Sequence, residues 1–121
     1  MSLSSEQALF LLDFCKLVQY CTDVLGWKVT AGELQRPVEM QKIYVQTGRS
    51  KTMDSRHLRR LAGDLNFFDA AGKYLCTVEE VRPAGEFWES LSPKNVWGGN
   101  FDRNWGKEDN FKDAPHFERK V

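Results

Sequence analysis

Two histidines, each with an aspartate at short spacing, are the residues of this chain best suited to metal chemistry. His57 precedes Asp64 by seven positions, and Asp113 precedes His116 by three. A zinc ion binds nitrogen and oxygen ligands at about 2.0–2.2 Å, so residues that share one ion must converge. Two histidines and one carboxylate, with a fourth position open to water, form the ligand set of a hydrolytic zinc site. The alternative interpretation is a pair of surface histidines near carboxylates.

The segment between His57 and Asp64 decides whether these two residues can share an ion. On one straight helix, residues seven apart are separated by about 10.5 Å along the axis, which is too far. The sequence Leu-Ala-Gly at residues 61–63 instead allows a bend into a strand. His116 would then complete the ligand set, and Asp113 would serve as the general base for the attacking water. The H-E-x-x-H helix signature is absent, which excludes a thermolysin-like site.

The elements that must position these residues begin with helices. Apolar residues recur at three- and four-residue spacing over residues 5–25, which predicts a helix with a stripe facing the core. Ser4 fits the start of this helix and Gly26 its end. A short strand is predicted over residues 27–33, and a second helix over residues 37–47, opened by a proline.

Strands are predicted mainly in the second half of the chain. Residues 62–68 and 74–78 favour a hairpin around a glycine-containing turn, and a short helix follows over residues 83–91. A last strand at residues 116–117 could close the sheet as an edge or a central strand. The predicted fold is α+β, with N-terminal helices packed on an antiparallel sheet that carries the zinc site. Residues 1–121 are expected to form a single domain.

Composition excludes several classes of function. Lys and Arg total 17, as do Asp and Glu, so the formal net charge is zero. Neutrality argues against nucleic-acid binding and against a polybasic membrane binder. No run of 18 apolar residues occurs, so no membrane insertion is expected, and residues 1–6 lack the basic start of a secretory signal. The three cysteines form no C-x-x-C pair, which indicates buried thiols in a protein made in a reducing compartment.

Four motifs together resemble the VanY/VanX-type zinc D-alanyl-D-alanine peptidases of the LAS superfamily, including its small phage endolysins. S-R-H-L-R-R-L-A-G-D at residues 55–64 is similar to their S-x-H-x-x-G-x-A-x-D pattern, and D-A-P-H at residues 113–116 to their acidic-x-x-His signature. W-G-G-N-F at residues 97–101 resembles the W-G-G-D-W stretch of the phage members. R-P-V-E-M-Q at residues 36–41 is similar to the R-x-P-x-E-Q element. The motifs follow the expected order through most of the chain.

The resemblance implies a role for each matched position. It implies Zn²⁺ as the cofactor, Asp113 as general base and Arg36 as the cation that stabilises the developing oxyanion. Ser55 and Trp97 would contact substrate, although a core position for Trp97 is an equal alternative. The implied zinc ligands are His57, Asp64 and His116.

Some positions depart from the family pattern, among them Arg60 and Asn100. Arg60 replaces the glycine of the first signature, and Asn100 replaces the aspartate of the W-G-G-D-W stretch. Neither change removes an implied ligand. Arg60 is expected to alter the local turn or the binding of substrate.

The family resemblance predicts a monomeric phage or prophage endolysin that cuts the L-alanyl-D-glutamate bond of peptidoglycan. Residues 1–121 would then form a single zinc peptidase catalytic domain without a separate cell-wall-binding domain. Such an enzyme would stay in the host bacterial cytoplasm until a holin permeabilised the membrane. Two alternatives remain open. A D-alanyl-D-alanine carboxypeptidase would use the same catalytic residues, with its specificity set by the loop over residues 92–110. A non-catalytic zinc-binding domain is less consistent with the presence of Asp113 and Arg36.

Overall fold

The computed structural model describes residues 2–34, 42–43, 45–48, 59–101 and 113–121. Helices and strands alternate irregularly along the chain, and the strands form one antiparallel sheet. This arrangement confirms the predicted α+β class. In chain order the elements are α1 (Leu3–Asp23), β1 (Lys28–Ala31), β2 (Ala62–Phe68), β3 (Tyr74–Leu75), α2 (Val78–Leu91), β4 (Asn95–Trp97), a 3₁₀ turn (Gly98–Asn100) and β5 (His116–Arg119).

Helix α1 begins two residues earlier than its sequence pattern predicts. The hydroxyl oxygen of Ser2, not Ser4, caps the helix by accepting the backbone N–H of Ser5 at 3.2 Å. The helix ends before Gly26, whose φ of +71° lies in the left-handed region that glycine adopts without strain. Its apolar stripe faces the core as predicted, since the buried positions include Phe10, Phe14, Leu17 and Cys21.

The predicted hairpin is present as β2 and β3. The carboxylate of Asp69 accepts the backbone N–H groups of Ala71 and Lys73, both at 2.9 Å, and Gly72 has a φ of +89°. These contacts fix the turn and hence the register, in which Phe67 lies opposite Leu75.

Helix α2 is longer than predicted because a capping box starts it early. The Thr77 hydroxyl accepts the Glu80 N–H at 3.1 Å, while the Glu80 carboxylate accepts the Thr77 N–H at 3.2 Å. This reciprocal cap places the helix start at Val78 and leaves Pro83 inside the helix. The prediction of a strand to residue 78 and a helix only from residue 83 was therefore wrong.

The last strand is central in the sheet. The strand order is β1-β2-β5-β4, with β3 also paired to β2. Strand β5 therefore forms ladders on both of its edges, with β2 and with β4. The prediction that residues 116–117 close the sheet is confirmed, and the strand extends to Arg119.

The core lies between the sheet and the two labelled helices. Trp88 of α2 packs edge-to-face against Phe10 of α1 and Phe117 of β5, with ring centroids 5.6 and 6.0 Å apart. A buried ion pair, from Arg119 Nε to Glu6 Oε2 at 2.6 Å, ties β5 to the first turn of α1.

The remaining predictions have mixed outcomes. Of the cysteines expected to be buried, only Cys21 is, and burial raises the pKa of its thiol to about 12. Cys15 and Cys76 are exposed, so the prediction is wrong for both. Cys15 lies off the buried stripe of α1, and Cys76 lies between β3 and α2. The described residues 42–43 and 45–46 are helical as predicted, and the rest of that predicted helix lies outside the described residues. No described helix combines the length and the hydropathy needed to cross a bilayer.

Candidate metal centre

Asp64 and His116 face each other across the β2–β5 ladder. They are direct partners in the antiparallel register, so their side chains project from the same face of the sheet. The Nδ1 atom of His116 lies 3.3 Å from Oδ1 of Asp64. Backbone bonds fix the position of Asp64, because its N–H donates to the Glu33 carbonyl and its own carbonyl accepts the Gly32 N–H, both at 2.8 Å.

Asp113 joins this pair through a tight turn. The N–H of His116 donates to the Asp113 carbonyl at 3.0 Å, which folds residues 113–116 back on themselves. One ligand atom from each of Asp64, Asp113 and His116 lies within 4.8 Å of the others. Sheet pairing and this turn therefore bring Asp64 next to Asp113 and His116, which are distant from it in the sequence.

The W-G-G segment holds that turn against the sheet. The Asp113 N–H donates to the Gly98 carbonyl at 3.0 Å, and the Trp97 indole N–H donates to the Ala114 carbonyl at 2.7 Å. A Cβ atom on Gly98 would lie 2.0 Å from the Asp113 carbonyl oxygen, so only glycine permits this approach. Trp97 is fully buried, with its ring against Gly85 of α2. This burial places Trp97 in the core, one of the two alternatives that the sequence left open.

Glu118 is a site residue that the sequence reasoning missed. It follows His116 by two positions on β5, and alternation along a strand puts both side chains on the same face. Its Oε1 lies 2.8 Å from Nε2 of His116. The signal was present in the H-F-E sequence, but it is informative only once residues 116–119 are known to form a strand.

The electrostatic environment at His116 favours a positive charge. Burial lowers the pKa of the imidazole, but hydrogen bonds to Asp64 and Glu118 and the charges of Glu118 and Asp113 outweigh burial. Together they raise the pKa of His116 to about 9. A pocket that stabilises an imidazolium among three carboxylates is also suited to a bound cation.

The donor set fits zinc in both chemistry and spacing. Imidazole nitrogen and carboxylate oxygen are common zinc ligands, and two ligands of one tetrahedral zinc lie about 3.3–3.6 Å apart. The 3.3 Å between His116 Nδ1 and Asp64 Oδ1 falls within that range. Asp64 and His116 therefore fit a shared zinc ion, and a carboxylate oxygen of Asp113 lies within 4.8 Å of the ligand atoms of both.

A solved structure matches this fold. The structure of the L-Ala D-Glu endopeptidase ChiX from Serratia marcescens matches with a TM-score of 0.71 and 21% sequence identity. The match covers 92% of this chain and 77% of ChiX. The two proteins share a fold. No protein-family model matches the chain, and no curated protein matches it.

The departures from the family pattern at Arg60 and Asn100 have local structural explanations. Arg60 has a φ of +57°, a left-handed conformation in which the glycine of the family pattern would be unstrained. Asn100 is buried and donates its amide to the Glu89 carboxylate of α2 at 3.2 Å. An aspartate at residue 100 would place a second negative charge beside the Glu89 carboxylate, whereas the amide of asparagine donates a hydrogen bond to it. Sequence reasoning also missed Glu89, which accepts the Trp97 N–H at 3.0 Å.

The structure thus brings together three of the residues that the sequence singles out, Asp64, Asp113 and His116. Arg36, Ser55 and His57 lie outside the described residues, and their roles stay predictions. The three clustered side chains can bind a divalent cation, and a carboxylate beside such an ion can exchange a proton with water.

Proposed function

We propose that this chain is a VanY/VanX-type zinc peptidase that hydrolyses the L-alanyl-D-glutamate bond in the stem peptide of peptidoglycan. One observation carries the proposal: Asp64, Asp113 and His116 converge within 4.8 Å. They do so in a fold shared with an L-Ala D-Glu endopeptidase. The four sequence motifs, in the family's order, support the same conclusion.

The zinc ion would be held by Asp64, by Nδ1 of His116 and by His57. When bound, zinc supplies a Lewis acid that polarises a carbonyl and lowers the pKa of water to about 7. Asp64 and His116 are suited to hold it because the backbone of each is fixed in the β2–β5 ladder. Rigid ligands keep the coordination geometry constant during turnover.

Asp113 would move the proton. Its turn places the carboxylate next to the two ligands but outside the strand that carries His116. It would accept a proton from the attacking water and return it to the leaving amine. Arg36 would stabilise the negative charge that develops on the scissile carbonyl oxygen, and Ser55 would hydrogen-bond the substrate.

The biological setting that we propose is phage-induced lysis. The chain would accumulate as a monomer in the host cytoplasm and reach the peptidoglycan after a holin opened the membrane. The resemblance to small phage members supports this setting. Lysis of cells by externally added protein, only after the outer membrane is permeabilised, would be the expected behaviour.

The experiment is digestion of purified peptidoglycan with the zinc-loaded protein, followed by mass spectrometry of the products. Cleavage should release peptides that begin with D-glutamate, EDTA should stop it, and added zinc should restore it. Release of terminal D-alanine with the L-alanyl bond intact would replace the proposal with a carboxypeptidase. Zinc binding without any cleavage would support a non-catalytic domain.

Two variants separate the proposed roles within the site. Asp113→Ala should lower the cleavage rate by about 10²–10⁴-fold while one zinc stays bound, because it removes the proton carrier but no ligand. His116→Ala should abolish both zinc binding and cleavage. Glu79→Gln, at an exposed position of α2, is the control and should change neither. Loss of zinc from Asp113→Ala would instead make Asp113 a ligand.

A further inference from the structure

We propose that Glu118 is a positioning residue for the metal centre: it accepts the Nε2–H of His116 and so directs the unprotonated Nδ1 at the ion. This inference rests on the zinc site proposed above. It adds a residue that none of the four motifs identifies.

The two edges of the His116 ring have different partners. Nε2 lies 2.8 Å from Oε1 of Glu118, and Nδ1 lies 3.3 Å from Oδ1 of Asp64. A metal shared with Asp64 would therefore bind Nδ1. In a neutral imidazole one nitrogen carries the hydrogen and the other a lone pair, and an ionised carboxylate can only accept. Glu118 thus selects the tautomer with hydrogen on Nε2, which leaves the lone pair of Nδ1 for the metal.

The backbone of Glu118 is fixed from three directions. Glu118 lies opposite Ala62 of β2 and Val96 of β4 in the two ladders of the central strand. Its carbonyl also accepts the indole N–H of Trp88 at 3.1 Å. A carboxylate on so constrained a backbone can hold the ring in one orientation, which is what a metal ligand requires.

Water competes little for this hydrogen bond. The side chains of His116 and Glu118 are only 9% and 13% exposed. Among the described residues, the ligand atoms that converge come from Asp64, Asp113 and His116, and Glu118 is not in this group. A role through His116 therefore fits the geometry better than direct coordination.

The test is the zinc affinity of the full chain, measured by competition with a chromophoric chelator at constant pH. Glu118→Ala should weaken zinc binding by about 10- to 100-fold, the usual effect of losing such a partner. Glu118→Gln keeps an acceptor for Nε2–H and should restore most of the affinity. Glu79→Gln removes an exposed glutamate elsewhere and should bind zinc as the wild type does.

A second readout reports the tautomer itself. The chain has two histidines, so ¹⁵N–¹H correlation spectra of their rings contain few signals. Zinc-loaded wild type should show His116 with hydrogen on Nε2, and Glu118→Ala should lose or shift that signal. A purely structural role of Glu118 would change the melting temperature without changing the tautomer.

Each outcome bears on the proposal in a defined way. If both Glu118 variants bind zinc as tightly as the wild type, Glu118 does not position the ligand, although the zinc site stands. If Glu118→Gln is as weak as Glu118→Ala, the accepted hydrogen bond is not the cause and the inference fails. If wild type binds no zinc, both this inference and the proposed function fail. Zinc binding with the expected variant pattern but no peptidoglycan cleavage would overturn the proposed function alone.

Discussion

Replacing Gly98 by alanine tests whether the close approach of Gly98 to the Asp113 carbonyl positions the residues of the candidate metal centre. The new Cβ would lie 2.0 Å from the Asp113 carbonyl oxygen, whereas real Cβ atoms keep at least 3.0 Å from such neighbours. Asp113 must therefore move by about 1 Å. The same carbonyl accepts the His116 N–H at 3.0 Å, so this movement strains the turn that places both side chains.

The magnitude follows from these contacts. Overpacking costs about 1–3 kcal/mol and the lost turn hydrogen bond about 0.5–1.5 kcal/mol, so Gly98→Ala should destabilise the fold by about 1.5–4.5 kcal/mol. A displacement of about 1 Å at a catalytic group can lower the rate about 100-fold. The cleavage rate of the fraction that remains folded should therefore fall by that order. Urea unfolding, zinc competition and peptidoglycan cleavage measure the three effects.

Gly26→Ala provides the matched control. Gly26 also disfavours a side chain, because its φ is +71°, but a Cβ there would meet nothing within 4 Å. This variant should lose about 1–2 kcal/mol from backbone strain and keep its zinc affinity and its rate per folded molecule. If Gly98→Ala matches wild type in stability and zinc affinity, close approach at Gly98 does not position Asp113 and His116.

Three further predictions concern single contacts. Arg60→Gly should stabilise the fold by up to about 1 kcal/mol in urea unfolding, because relief of the left-handed strain exceeds the added backbone entropy of glycine; lower stability would contradict this. The pKa of Glu80 is lowered to about 2 by Lys73 and by the backbone N–H groups of Thr77 and Cys76. The ionised carboxylate of Glu80 therefore stabilises the fold above about pH 4.5, and this contribution is lost as the pH falls toward 2. The melting temperature of Glu80→Gln should thus lie below wild type at pH 6 and converge with it near pH 2, and a difference that persists at pH 2 would refute the charge effect. Asn100→Asp should destabilise the fold by about 1–3 kcal/mol in urea unfolding at pH 7, because it replaces the donor to Glu89 by a second carboxylate; stability equal to that of the wild type would contradict this.

Local patterns predicted most elements of the fold. The helical stripe of α1 and the Asp69 turn are short-range features, and both are confirmed. The start of α2 was missed because Thr77 and Glu80 form a capping box inside a stretch that resembles a strand. The central position of β5 depends on pairing with β2 and β4, which no local pattern encodes.

The candidate site divides in the same way. Residue type and spacing singled out Asp64, Asp113 and His116, which the structure brings together. The partner of the second ring nitrogen, Glu118, needed the strand assignment before its alternation with His116 had meaning. Trp97 could be core or substrate-binding from sequence, and only its burial decides for the core.

The central position of β5 has a consequence for the order of events during synthesis. This strand leaves the ribosome after all the other strands described, yet it lies between β2 and β4. Until it inserts, Asp64 has no His116 opposite it, and Glu6 lacks Arg119, a partner 113 positions away. The centre therefore assembles only after β5 has been synthesised. In the proposed function, a chain that lacks β5 would have no lytic activity, and zinc uptake would show that β5 has paired with β2 and β4.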